Sequence, residues 1–500
     1  MKKSDLFIFA LLILLVYGCT TENPTASLTV NVIGELPDEL LYTVPVEGGT
    51  FWGFRDTVRP DAAGAFHIRI SNPEPALVAL FGRGLGQQGY NTFDYLLVEP
   101  GKHYEVVFDL TGDEKRFVVN DNSCKVQSFL QTLPNYGHPQ EDELWHLHDS
   151  SVTVIRNTLN ARKLDELARL ENLYETADIS NEAYQMLAHT RRLYHANVMG
   201  FVSSMKYLTP LFQGQESSDE QALELWQEAT SAVSVDERFF YSAPQTFDYL
   251  NHSIWGHLYA DVGFARAGEI QREYIDQGLR HTRNLNLADT YLDPSVMEYF
   301  KAAYLFFHSF QKRYEKELIT LFDDFRHTYP ASNYESFVSP LVGEIVQFHA
   351  KADKGFTDKM HIQDNYNDIA SFEELMAPFR GKRVYLDVWS TTCGPCKREF
   401  QYVDELKELL QEEDIQMLYI SIDRDSDDAQ WQNMIKYYEL EGYHVRAGSA
   451  LRRELDKLLG IEGIPHFALV GPEGEILIPK AHRPSGMEAL AEQLRETPGR

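Results

Sequence analysis

The chain has 500 residues, with 46 Lys and Arg against 75 Asp and Glu, a net charge of −29. Its 43% hydrophobic and 12% aromatic residues are ample for buried cores, and this length exceeds what one core supports, so roughly two or three domains are expected. So acidic a surface argues against nucleic acid and anionic lipid headgroups as partners.

The chain opens on Met1-Lys2-Lys3 and an apolar run from Leu6 to Val16. That run is too short for a membrane span of about 20 residues but fits the core of a signal peptide. Its ending, Val16-Tyr17-Gly18-Cys19, resembles a bacterial lipobox. The resemblance implies that residues 1–18 are removed and that Cys19 is acylated as the mature N-terminus. Each buried CH₂ of such a chain contributes about 0.8 kcal/mol, so two or three chains tether a soluble body. Thr20, where the sorting pattern would place Asp for inner-membrane retention, points away from that retention, and the periplasmic face of the outer membrane is the expected location. A lipid-anchored protein of the cell envelope is the expectation.

From 27 to 120 the pattern has strand character. Leu28-Thr29-Val30-Asn31-Val32 alternates, as does Ala65-Phe66-His67-Ile68-Arg69-Ile70, and Tyr104-Glu105-Val106-Val107-Phe108-Asp109 follows the turn Glu99-Pro100-Gly101-Lys102. Short strands with this punctuation predict an antiparallel, sandwich-like domain. Nothing catalytic stands out in it, and it reads as a binding or packing module.

From 122 to 350 the period becomes helical. Ser217-x-x-Glu220, Ser234-x-x-Glu237, Ser295-x-x-Glu298 and Ser332-x-x-Glu335 read as capping boxes. No fixed-period repeat is present, so the region reads as a helical spacer rather than a solenoid. His138, His146 and His148 raise the question of a metal. His146 and His148 stand two apart, about 200° round a helix, and no Cys or Glu pair completes a set, so no metal site is assigned. Cys124 reads as a small buried hydrophobe.

The chemistry lies between 355 and 500. An apolar strand, Val384-Tyr385-Leu386-Asp387-Val388-Trp389, leads through Ser390-Thr391-Thr392 into Cys393-Gly394-Pro395-Cys396-Lys397. Two thiols so spaced at a helix start can close and reopen a small disulfide ring. At the helix entry the unpaired N–H groups and the dipole favour a thiolate, which makes Cys393 the attacking nucleophile. Cys396, one turn further in, resolves the mixed disulfide that Cys393 forms. Pro395 costs nothing in a first turn, where no intrahelical N–H bond is lost. A structural zinc knuckle is the alternative for C-x-x-C, but there is no second such pair and no suitably spaced His pair. A c-type haem site needs His after Cys396, where this chain has Lys397. No cofactor is implied.

Asp387-Val388-Trp389 followed by Cys393-Gly394-Pro395-Cys396-Lys397, with Ile464-Pro465 downstream, resembles the thioredoxin superfamily. Phe372-Glu373-Glu374-Leu375 and Gly381-Lys382-Arg383-Val384 are similar to its TlpA/ResA-like, membrane-tethered branch. The resemblance implies an α/β thioredoxin fold over 355–500, a multidomain protein overall, and a cis Pro465 facing the dithiol. Predicted elements are a helix over 394–412, a strand over 416–422, helices over 428–440 and 449–459, a hairpin over 467–479 and a last helix over 485–495. It also implies that Asp387 is a buried acid whose raised pKa lets it take the Cys396 proton. Its usual lysine partner is replaced by an apolar or aromatic residue near Tyr419. Trp389 supports the dithiol, while Thr392, Gly394, Pro395 and Ile464 form the docking surface for an extended client. His466, in place of a more usual Thr, reads as a hydrogen-bonded structural residue.

Two function classes follow. One is a membrane-anchored thiol-disulfide oxidoreductase acting on disulfide-containing exported proteins and recharged by an inner-membrane electron donor. The other is a partner-binding lipoprotein that uses the fold as scaffold, for which an intact Cys393–Cys396 pair is unnecessary. A peroxidase would need a lone cysteine in a Pro/Thr-rich setting. Gly394-Pro395 matches reducing thioredoxins, whose potential is about −270 mV, so the expected direction is reduction.

Overall fold

The structure, a computed structural model, describes residues 25–82, 92–111, 116–119, 124–133, 144–176, 179–215, 219–275 and 277–497. The signal segment 1–18, Cys19, His138 and Ser217 lie outside the described residues, and so does the side chain of Cys124.

Eight strands open the described chain: β1 (Thr25–Ile33), β2 (Leu40–Thr43), β3 (Arg55–Val58), β4 (Phe66–Ser71), β5 (Ala76–Gly82), β6 (Thr92–Val98), β7 (His103–Asp109) and β8 (Arg116–Val119). They form two four-stranded sheets, ordered β4-β1-β7-β8 and β3-β2-β5-β6. Alternation decides which face is buried. In β4, Phe66, Ile68 and Ile70 point inward, and they share a core with Leu28 and Val30 of β1 and Val78 and Leu80 of β5. The expected all-antiparallel arrangement is corrected at one pairing: β1 and β7 run parallel, Ser27 opposite His103 through Ile33 opposite Asp109. Alternation fixes the face a side chain takes but carries no information on strand direction. β5 is buried along its whole length. Its second face, Leu77, Ala79 and Phe81, packs on helices of the next region, which is why its sequence is continuously apolar.

The helical region comprises α1 (Cys124–Gln131), α2 (Val152–Thr176), α3 (Asn181–Phe212), α4 (Glu220–Thr230), α5 (Thr246–Ile275), α6 (Arg280–Tyr291), α7 (Met297–Phe310), α8 (Glu317–Thr328) and α9 (Glu335–Ala352). α5 is broken at Gly263, whose φ of 74° and ψ of 165° are non-helical. α7 buries Tyr299, Phe300, Tyr304 and Phe306, as its aromatic content predicts. Of the expected capping residues, Ser295 yields to Asp293, whose carboxylate accepts from Ser295 N at 2.8 Å. His146 and His148 fall in the 3₁₀ turn Trp145–Asp149, and no metal-binding group of three or more His, Cys, Asp or Glu occurs among the described residues.

The C-terminal sheet has six strands: β9 (Met360–Ile362), β10 (Arg383–Trp389), β11 (Ile415–Ser421), β12 (Gly442–Arg446), β13 (His466–Val470) and β14 (Ile476–Ile478), in the order β14-β13-β10-β11-β12-β9. β9, β12, β11 and β10 are parallel, while β13 and β14 are antiparallel to their neighbours. The helices are α10 (Phe372–Met376), α11 (Gly394–Glu399), α12 (Val403–Glu412), α13 (Asp428–Tyr437), α14 (Ser449–Leu459) and α15 (Met487–Glu496). The single helix expected over 394–412 is two, separated by a 3₁₀ turn at Phe400–Tyr402. One hydrophobic cluster runs from the helical region into this domain: it joins Tyr304, Tyr314 and Phe348 to Trp389, Cys393, Cys396 and Phe400.

Candidate active site

β10 is the central strand of the last sheet and is buried from Val384 to Trp389. Its one carboxylate, Asp387, stands in register with Tyr419 of β11 on one side and Phe467 of β13 on the other. The place of a pairing lysine is therefore taken by an aromatic ring. Asp387 is 3% exposed and its Oδ1 has no hydrogen-bond partner. Burial pushes its carboxyl well above the ordinary value, and the charge of Glu399 adds to the rise.

The chain leaves β10 through a pinned loop. Asp423, just past β11, accepts from Thr391 N at 2.8 Å and from Thr391 Oγ1 at 2.8 Å, and Ser421 Oγ donates to it at 2.7 Å. Cys393 N then bonds to Ser390 O at 3.1 Å. This sets Cys393 at the N-cap of α11, where its Sγ accepts from Cys396 N at 3.0 Å and meets the positive end of the helix dipole. Cys393 and Cys396 are joined as a disulfide with Cα atoms 5.3 Å apart. Cys396 is fully buried and Cys393 is 8% exposed. The order of accessibility is the expected one, but Cys393 is more recessed than a helix entry suggests. Thr392 and Pro395 are the exposed residues beside it, and Gly394 is half-buried.

The Ile464–Pro465 peptide is cis. It brings the Ile464 carbonyl oxygen to 3.6 Å from Cys393 Sγ, so the second motif meets the first although 71 residues separate them. His466 is 6% exposed and its Nε2–H donates to Pro479 O at 2.7 Å. Burial lowers its pKa, and it serves as a structural link to the terminal hairpin. Trp389 is fully buried and meets Phe400 edge-on, with ring centroids 5.1 Å apart.

Two residues of the site carry no motif and were not singled out from sequence. Asp423 lies two residues past β11 as Thr391 lies two past β10, and a carboxylate at that parallel position is the available signal. Glu399 lies three residues after Cys396 on the same helix face; it is 4% exposed and accepts from Ser485 N at 2.9 Å and Ser485 Oγ at 3.1 Å. A dithiol formed by reducing this disulfide can exchange with an outside disulfide, and the unpaired buried acid on the preceding strand can hold a proton.

Residues 381–476 match a family model described as thioredoxin-like. The chain is similar to the thiol-disulfide oxidoreductase ResA of Bacillus thuringiensis, with 30% identity over 110 residues, 22% of this chain and 61% of the relative. It is likewise similar to ResA of Bacillus anthracis, with 34% identity over 113 residues, again 22% and 61%. The match thus spans under two thirds of these relatives' length. Among solved structures it is similar to a thiol-disulfide oxidoreductase from Bacteroides fragilis, with 32% identity over 24% of this chain and 82% of that one, at a TM-score of 0.20. Residues 381–476 thus form a thioredoxin-like domain that is similar to the ResA thiol-disulfide oxidoreductases.

Proposed function

We propose that the protein is a membrane-anchored thiol-disulfide oxidoreductase that reduces disulfides in exported proteins. In the reduced form, the Cys393 thiolate attacks one sulfur of a client disulfide, forming a mixed disulfide and releasing the other sulfur as a thiolate. Cys396 then loses its proton to Asp387 and attacks Cys393 Sγ. This releases the second client thiolate, which takes up a proton, and leaves the Cys393–Cys396 disulfide. Two electrons pass to the client, and an inner-membrane dithiol donor returns them. Thr392, Gly394, Pro395 and Ile464 border the approach to Cys393 and receive an extended client chain. Cys19 carries the acyl anchor, on the periplasmic face of the outer membrane, and the β-rich and helical regions set the reach and orientation of the redox domain.

The observation that carries this reading is the Cys393–Cys396 disulfide at the start of α11, preceded by a strand whose one buried acid has no cation among the groups that shift it. A scaffold has no use for that combination, since burying an unpaired carboxyl costs stability. The test is insulin reduction by the full chain with dithiothreitol as donor. Wild type should turn over, Cys393→Ser should not, and Cys396→Ser should accumulate mixed disulfides with clients. Full turnover by Cys396→Ser would overturn the assigned roles.

A further inference from the structure

The residue after the dithiol is tied to a different part of the chain. Lys397 is 3% exposed, and its Nζ donates to Lys312 O at 2.8 Å and Gln311 O at 3.3 Å. Both carbonyls belong to the connection between α7 and α8, residues 311–316. Arg313 O accepts from Gln430 Nε2 at 2.8 Å, and Tyr314 O from His349 Nε2 at 2.9 Å. Four consecutive carbonyls are thus turned toward outside donors. Lys312 and Tyr314 have left-handed φ values of 52° and 56°, which side chains other than glycine adopt at a cost and only where their surroundings hold them. Tyr314 is held by stacking on Phe348 at 4.3 Å and by a 2.6 Å bond between its hydroxyl and that of Tyr438.

The consequence concerns charge. Neutral carbonyls solvate the ammonium of Lys397, and no carboxylate reaches salt-bridge distance of it among the described residues. No ion pair at contact distance neutralises it among the described residues. Lys397 N bonds to Cys393 O at 3.3 Å, so the side chain starts one helical turn from Cys393. Charged groups around it are Lys312, Arg313 and Glu315 of the connection and Asp423 below the dithiol loop; burial and the two cations pull its pKa to about 8. It is charged at neutral pH.

We propose that the α7–α8 connection holds Lys397 as an electrostatic support for the Cys393 thiolate, so that the central helical region tunes the dithiol. The inference rests on the redox reading of the pair. Lys397 acts as a positioning residue of charge, adding to the helix dipole that already favours a thiolate at the N-cap.

The test measures iodoacetamide alkylation of Cys393 in the reduced full chain as a function of pH. Lys397→Gln keeps a donor for the same carbonyls and removes the charge. It should raise the midpoint by about half to one pH unit, leaving about three- to tenfold less thiolate at pH 7. Lys397→Met should do the same, and Lys397→Arg should stay within about twofold of wild type. A folded Lys397→Gln with the wild-type midpoint would overturn the proposal, as would Lys397→Arg behaving like Lys397→Gln. Wild type that fails to reduce insulin would instead remove the redox reading, so the two failures are distinguishable.

Discussion

Replacing Asp387 by Asn removes a buried ionisable group while nearly preserving its volume, and the structure sets the direction of the effect. Asp387 has an unpartnered Oδ1, no cation among the groups that shift it, and Glu399 as its charged neighbour. Its folded pKa is raised, whereas in the unfolded chain it ionises near the ordinary value of about 4. Below that value both states are protonated and nothing is lost. Above it the unfolded state releases a proton that the folded state retains, so stability falls by about 1.4 kcal/mol per pH unit until the folded group ionises. Each pH unit by which the folded group ionises above the unfolded one therefore costs wild type about 1.4 kcal/mol. With a denaturant slope of about 2 kcal/mol/M that is about 0.7 M in the urea midpoint per pH unit. Asp387→Asn should lack this fall. The assay compares urea midpoints of the two oxidised proteins at pH 5 and pH 7, so that other titrating groups cancel in the difference. The same substitution should slow resolution by Cys396 roughly 10²–10⁴-fold while sparing the first attack by Cys393. Identical pH profiles with unchanged resolution would refute the buried-base assignment.

Asp423→Ala strips the acceptor from Thr391 N, Thr391 Oγ1 and Ser421 Oγ; it should cost about 1–3 kcal/mol in urea unfolding and slow alkylation of reduced Cys393 as the loop loosens. His444 is fully buried, donates to Leu440 O at 2.8 Å and has its pKa pulled down to about 3 by burial. Its contribution is complete above the unfolded value near 6.5 and is lost at about 1.4 kcal/mol per pH unit as pH falls toward the folded one; His444→Gln should flatten that acid limb in urea titrations. Cys19→Ala should abolish incorporation of a fatty-acid analogue in growing cells, and labelling that persists would take Cys19 out of the anchor assignment.

The dithiol could be read because its physics is local: a strand, a helix start and two sulfurs lie within fourteen consecutive residues, 383–396. Asp387 was legible as the single carboxylate in an apolar strand, and Pro465 because the second motif is equally compact. What escaped depends on contacts between distant segments. The three-residue β9 adds to the sheet edge beside β12, too short to show any period. Parallel pairing of β1 with β7 is a matter of topology, to which alternation is blind. Asp423 and Glu399 look like ordinary surface acids until folding buries them. The link from Lys397 to residues 311 and 312 spans 85 positions or more and uses backbone acceptors, which no side-chain pattern encodes. The periodicity of the helical region fits a spacer, yet its core is continuous with that of the C-terminal domain.

The central claim is that Cys393 and Cys396 form a working redox couple. Equilibrating the full chain with glutathione and dithiothreitol buffers of graded potential, then quantifying the pair by alkylation and mass measurement, tests it most directly. The account predicts one reversible two-electron transition near the reducing thioredoxins, at about −270 mV. A disulfide that no buffer opens, or a transition near the oxidants at about −120 mV, would contradict it.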